Sequence, residues 1–355
     1  MPVSILIVGA GAVGAFYARW RAPPGMMRMI ADFPSRLAQV PEVQVSVVCR
    51  SNYKAVSADG FSISSPRYGS YTFLPYRTFS SPKEAADSKL SWDFVVVSTK
   101  ALADDDSGIL VGLVEGGRTA IVLIQNGLGV EAPYANRFPS TVLLSAVTIV
   151  SAAQTSPGVI RHNRWTRISI GPYLPDSADT GGENGRVAIE TNRRFVKLLA
   201  AGGIQDAEEY SHAKLQMVRW HKIAINASMN PAAVLSGGST NNEMSMDPEM
   251  YLHLKGVMDE VLSTAEQILG TPLPKEFASS EAILMSTQRN TSGSKPSMLL
   301  DWEQGKKMEL EVILGNPLRI AREKGLPMPR LQTVYALLRR AEQKRAETPS
   351  GSSKL

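Results

Sequence analysis

Five short runs of branched aliphatic residues punctuate the first half of the chain: SILIVGA, VQVSVVC, WDFVVVS, TAIVLIQ and TVLLSAV. Each is bounded by turn-forming or polar residues. Strands this continuously apolar are covered on both faces, as in a parallel sheet with helices packed above and below it. RWTRISIGPY adds a strand and RRFVKLLAAGG a helix, which carries the region to about residue 210. The polar, glycine-rich PDSADTGGENGR, residues 175–186, reads as a surface loop. From His212 onward the periodicity becomes helical, in AKLQMVRWHKIAINASMN, PEMYLHLKGVMDEVLSTAEQILG, SMLLDWEQGKKMELEVILGN and LQTVYALLRRAEQKR. STQRNTSGSKPS, residues 286–297, reads as a polar linker between helices, and ETPSGSSKL as a flexible tail. The pattern predicts an α/β domain over 1–210, a mostly α-helical domain over 211–346 and a tail over 347–355.

At 355 residues with 43% hydrophobic side chains, the chain is long enough for two separate cores. Its single cysteine, Cys49, excludes an intramolecular disulfide and any multi-cysteine metal site. The four histidines, His162, His212, His221 and His253, include no i, i+4 pair, so no metal is expected. The apolar N-terminal stretch is cut by Gly9, Gly11 and Gly14 and has no basic leader, so neither a signal peptide nor a membrane span is expected. The net charge of +5 is spread along the chain. Its densest cluster, Arg339, Arg340, Lys344 and Arg345, reads as a solvated helix face rather than a nucleic-acid site.

Gly9-Ala10-Gly11-Ala12-Val13-Gly14 stands directly after the first strand and before a helix-compatible AFYARW. In that context G-x-G-x-x-G is the phosphate loop of a Rossmann domain. The first glycine makes the tight turn, the second removes the side chain that would block a pyrophosphate, and the third lets helix and strand pack closely. A dinucleotide's pyrophosphate would then sit on the helix N-terminus. An NAD-specific domain ends its second strand with a carboxylate for the ribose hydroxyls, but here the residues are Val48-Cys49-Arg50-Ser51-Asn52. Arg50 suits a 2′-phosphate, which points to NADP (NADPH). Arg50 lies 36 positions after Gly14, against a usual interval of about 20. APPGMMRMIADFP between them reads as an insertion.

In the helical half, Lys222, Asn226 and Asn230 fall at i, i+4 and i+8 of one helix, among apolar or small neighbours. Such a polar stripe either faces water or lines a polar cavity, and spacing alone favours water. Ser297, Asp301 and Glu309 recur at multiples of four after Pro296, as a second polar stripe on a second helix. An ammonium group, two amides and a hydroxyl together suit a substrate with a carbonyl and a carboxylate. His221 is the nearest histidine to compete with Lys222 as an acid, but adjacent helix positions point about 100° apart.

ILIVGAGAVG, the Lys100-Ala101 that follows VVVST, IQNGLG with Asn126, WHKIAINASMNP and PSMLLDWEQGKKMELE together resemble the ketopantoate reductase (2-dehydropantoate 2-reductase) family over most of the chain. The resemblance implies an NADP-dependent oxidoreductase that reduces ketopantoate to pantoate, on the route to pantothenate and coenzyme A. An alternative is reduction of another 2-keto acid; a non-catalytic NADPH sensor would not be expected to keep the lysine and its polar companions. The resemblance makes Lys222 the general acid and gives the substrate Asn226, Asn230, Asn126 and Ser297. It puts Glu309 at the cofactor ribose and active site, and Asn126 against the nicotinamide ribose. It also sets Arg50 and Lys100 toward the adenosine phosphate. A further substrate asparagine falls within Thr240-Asn241-Asn242, and Asn241 is taken for it. The physical logic agrees, since hydride addition to a ketone creates an alkoxide that a cationic lysine can stabilise and protonate. The architecture is compatible with a homodimer. Ser353-Lys354-Leu355 matches the tripeptide read by the peroxisomal import receptor, so a peroxisomal location is expected, the alternative being a chance ending on a cytoplasmic enzyme.

Overall fold

Branched residues dominate β1 (Val3–Val8), and all of them are buried. A strand with no solvent face must have partners on both edges. β1 has them, pairing in parallel with β2 (Val43–Val48) on one side and with β6 (Phe94–Val97) on the other. The computed structural model describes residues 2–18, 43–102, 106–175 and 181–347. The insertion proposed around residues 22–34 and the tail with Ser353-Lys354-Leu355 lie outside the described residues.

Between and beyond these strands the chain forms α1 (Ala12–Tyr17), α2 (Tyr53–Asp59), β3 (Phe61–Ser65), β4 (Gly69–Phe73), β5 (Thr78–Phe79), α3 (Pro82–Asp87), β7 (Ala120–Leu123) and α4 (Ala132–Arg137). The region closes with the long pair β8 (Leu143–Ser156) and β9 (Val159–Pro172), then α5 (Glu183–Ala201) and β10 (Ala207–Glu209). Around β1 the order is β5-β2-β1-β6-β7-β8, all parallel. That is the 3-2-1-4-5-6 order of a doubly wound nucleotide-binding sheet. The all-parallel expectation fails beyond β8, because only the two residues between β8 and β9 connect them and so short a link can join only antiparallel strands. β9 continues into β3 in parallel, and β3 into the antiparallel edge strand β4. Helices α1 and α5 both pack on β8 and β9. Residues 183–186, expected in a loop, form the first turn of α5, whose buried Ala188, Phe195, Leu198 and Leu199 anchor it.

The helical half contains α6 (His212–Leu235), α7 (Asn241–Met246), α8 (Pro248–Leu269), α9 (Ser280–Gln288), α10 (Ser297–Glu303), a π-helical turn at Glu311–Gly315, α11 (Asn316–Glu323) and α12 (Pro329–Glu347). α8 packs against α7, α9 and α12, and it buries Leu254, Val257, Met258 and Val261. Each such side chain contributes roughly 1.5–3 kcal/mol by leaving water. Glu260 on α8 also accepts from Arg330 N and Leu331 N, at 3.0 and 2.9 Å, so a carboxylate caps α12. The expected linker at 286–297 shortens, since residues 286–288 end α9.

The chain divides into two compact units. Met1–Lys100, Asp105–Gln125 and Val130–Leu215 form the first; Ala101–Asp104, Asn126–Gly129 and Gln216–Leu355 form the second. The basic cluster on α12 is partly engaged within the second unit: Arg345 stacks over Trp302 at 4.0 Å and bonds its carbonyl, and Arg340 pairs with Glu347. Among the described residues no helix is long and apolar enough to cross a membrane. Nor is any group of three or more His, Cys, Asp or Glu placed to hold a metal ion.

Candidate active site

In the first unit, the chain leaves β1 through Gly9, whose φ of +95° favours glycine. A Cβ there would stand 2.6 Å from Thr99 N. At Gly14 it would overlap the Ser98 hydroxyl and lie 2.8 Å from Gly9 O, so this turn of α1 sits directly on the end of β6. Gly11 differs, for nothing among the described residues lies within 4 Å of its missing Cβ. Two glycines thus fit backbone against backbone, while the third opens on free space, which is the cradle a dinucleotide pyrophosphate needs. Side chains lock the loop: Ser98 Oγ donates to Gly9 O at 2.9 Å, and Asn52 Nδ2 to Ala10 O at 2.9 Å. Ala12 and Val13 open the first turn of α1 beside them. Arg50 is exposed in the turn after β2, and Lys100 is exposed just past β6.

In the second unit, α6 presents Lys222 to the loop that follows β7. Lys222 Nζ donates to Asn126 Oδ1 at 2.8 Å. Asn126 Nδ2 in turn donates to Glu309 Oε2 at 3.2 Å, and Glu309 Oε1 accepts from Ala101 N at 3.0 Å. The amide therefore joins an ammonium to a carboxylate, and its orientation is dictated by having a donor on one side and an acceptor on the other. Burial, assisted by the Arg219 charge and opposed by Glu309, lowers the Lys222 ammonium from 10.5 to about 8. A lysine so placed exchanges its proton near neutral pH. Asn226 is half-buried one turn further along α6. Asn230, one turn beyond that, is buried with its Nδ2 lacking any acceptor among the described residues. Asn241 Oδ1 is likewise buried without a donor. Thr240 and Glu243 set Asn241 in place by a reciprocal cap of α7, Thr240 N to Glu243 Oε2 at 2.7 Å and Glu243 N to Thr240 Oγ1 at 3.3 Å. Buried amide atoms left unbonded are costly, and a polar ligand would satisfy them.

The loop carrying Asn126 is held from three directions within this unit. Gly127, at φ +98°, lies so close to the π turn that a Cβ would stand 2.7 Å from Val312 O and overlap the Val312 side chain. Leu128 N donates to that same Val312 carbonyl at 2.8 Å. The carbonyl is available because Asn316 N is taken by Glu311 O and the next residue, Pro317, has no N–H. Asn316 Nδ2 bonds Leu128 O, and Arg219 Nη1 bonds Gly127 O at 2.8 Å.

Of the residues expected from the sequence, the structure therefore joins Lys222, Asn126 and Glu309 through hydrogen bonds and keeps Lys222, Asn226 and Asn230 on one helix. Ser297 is exposed at the first residue of α10. Glu309 does not share a helix with Ser297 and Asp301, contrary to the expected stripe. α10 ends at Glu303, Gly305 turns at φ +67°, and Glu309 stands in the segment leading to the π turn. His221 is engaged elsewhere, its Nε2 bonding Ala278 O at 2.9 Å. Sequence reasoning missed Ser98, Asn52, Arg219, Asn316 and the Ala101 amide. Arg219 did leave a signal, as a charged residue one turn before Lys222 on a largely apolar helix.

A parallel sheet in nucleotide-binding order followed by a helical unit bearing a half-buried lysine is the architecture of a Rossmann-type oxidoreductase, the class that the relatives of this chain also represent. The chain matches the family models "Ketopantoate reductase PanE/ApbA" over residues 33–175 and "Ketopantoate reductase PanE/ApbA C terminal" over residues 214–342. The crystal structure of 2-dehydropantoate 2-reductase from Methylococcus capsulatus is similar at a TM-score of 0.76 and 31% identity, covering 99% of this chain and 100% of that one. An uncharacterized protein of Saccharomyces cerevisiae is 29% identical, across 94% of this chain and 92% of its own. A 2-dehydropantoate 2-reductase of a Nostoc species is 22% identical, across 94% and 93%. The chain belongs to the ketopantoate reductase family.

Proposed function

We propose that the protein reduces the ketone of a 2-keto acid to a hydroxyl with NADPH, and that ketopantoate is its substrate. The observation that carries this reading is the chain Lys222 Nζ–Asn126–Glu309, with Lys222 drawn down to about 8. When bound, the reduced nicotinamide supplies a hydride to the carbonyl carbon. The chain's own residues handle charge and position. Lys222 Nζ holds a proton for the oxygen that becomes an alkoxide; after giving it up the amine is neutral and recovers a proton from water. Asn126 fixes the direction of that ammonium, and Glu309 keeps a negative charge beside it. Asn230 Nδ2, with no acceptor among the described residues, can donate to a carboxylate or hydroxyl oxygen, and Asn241 Oδ1, with no donor among them, can accept from a substrate hydroxyl. In the first unit, Gly9, Gly11 and Gly14 fit a dinucleotide pyrophosphate, and the exposed Arg50 guanidinium stands where an NAD-specific sheet carries a carboxylate.

The test is consumption of NADPH, and separately NADH, by the purified protein across a panel of 2-keto acids that includes ketopantoate. Ketopantoate should give the highest kcat/KM. A much higher value with another branched 2-keto acid would reassign the substrate and leave the chemistry in place, because Lys222 addresses the ketone oxygen that all such acids share. No turnover of any member would overturn the reading.

A further inference from the structure

Arg219, a charged residue, is only 2% exposed. Stability gives little reason for it, since replacing a buried charge by an apolar side chain of similar volume is often neutral or stabilising. Its contact gives a better one. Nη1 donates to the carbonyl of Gly127 at 2.8 Å, and Gly127 follows Asn126 directly. That peptide has little freedom of its own, because φ at Gly127 is +98° and Val312 lies where a side chain would go. Asn126 has equally little latitude, having to accept from Lys222 and donate to Glu309 at once. We propose that Arg219 is a positioning residue: by gripping the Gly127 carbonyl it sets the Asn126 amide in the register that Lys222 and Glu309 require.

The inference rests on the reading of Lys222, Asn126 and Glu309 as the reduction site. Arg219 also acts through charge. It lies three residues before Lys222 on the same helix and disfavours the ammonium, whereas Glu309, from the segment before the π turn, favours it; Asn126, from the loop, is neutral. Loss of the guanidinium should therefore disturb substrate binding and the titration of Lys222 together. Keeping a cation without the planar fork should disturb only the first.

Arg219→Lys and Arg219→Met separate the two effects in the full-length protein, by steady-state kinetics against pH with the preferred 2-keto acid and by thermal melting. Both variants should raise KM, and kcat/KM should fall roughly 10- to 100-fold, the size expected for losing a charged hydrogen bond. Only R219M should move the alkaline limb of the kcat profile to higher pH. Folded variants whose KM stays within about twofold of wild type would overturn the proposal, on the same scale of one hydrogen bond. If R219M does not fold, R219K decides alone, with a raised KM supporting the role and an unchanged KM ending it. If the wild type turns over no 2-keto acid, the functional reading fails first. The pH dependence of Lys222 modification by an amine reagent, followed by mass spectrometry, then decides for Arg219. Its midpoint should rise in R219M and hold in R219K, and identical midpoints in all three proteins would refute the coupling.

Discussion

Replacing Lys222 by methionine should make the protein more stable at neutral pH. Burial and the Arg219 charge hold the Lys222 ammonium at about 8 in place of 10.5. At 1.36 kcal/mol per pH unit that difference is about 3 kcal/mol, which the native state forgoes by keeping the amine charged at about pH 7. The side chain is half-buried, so this is a ceiling. Methionine restores the apolar volume but leaves Asn126 Oδ1 without its donor, a loss of about 1–2 kcal/mol. The net gain is then at most about 1–2 kcal/mol. The sign follows from proton binding. Unfolded lysine keeps its proton until about pH 10.4, and the native residue releases it near 8. Between those values the unfolded wild type binds more protons than the folded form, so wild-type stability rises with pH relative to K222M. Urea unfolding of both proteins at several values from about pH 7 to about pH 10.5 measures this, and effects of all other groups cancel in the difference. The advantage of K222M should be fully present below about pH 8 and shrink as the pH approaches 10.5. A difference that does not change with pH, or a variant less stable than wild type at about pH 7, would refute the reasoning.

Lys222→Ala should lower kcat by roughly 100- to 10,000-fold, the usual range for a general acid, while dinucleotide binding followed by fluorescence stays within a few-fold; near-normal kcat would remove Lys222 from the chemistry. Glu309→Gln removes the charge that favours the Lys222 ammonium, so the alkaline limb of kcat should move to lower pH, and an unmoved limb would show that Glu309 does not govern this proton. Arg50→Ala should weaken NADPH much more than NADH in direct titrations, and equal weakening would show that another residue meets the 2′-phosphate.

What the sequence revealed about this molecule follows the range of the forces involved. β1, Gly9, Gly11 and Gly14 were legible because the strand, the turn and the helix start are contiguous, and each glycine answers a local steric demand. Lys222, Asn226 and Asn230 were legible as one face because a helix repeats every 3.6 residues. Glu309 was read in the wrong setting for the same reason. The count of fours runs on past Gly305, but the backbone does not, since φ there is +67° and the helix has already ended. The antiparallel turn from β8 to β9 is likewise a matter of connection length, which a list of apolar runs does not record. Least visible was the arrangement that holds Asn126. Its partners lie 96 and 183 positions away along the chain, and its loop is held by a carbonyl that belongs to Val312. Yet even that had a local cause, because Pro317 offers no N–H and the π turn directs the preceding amide to Glu311. A proline that deprives a helix of one hydrogen bond leaves one acceptor for Leu128 N, and through it helps fix the amide on which the lysine depends.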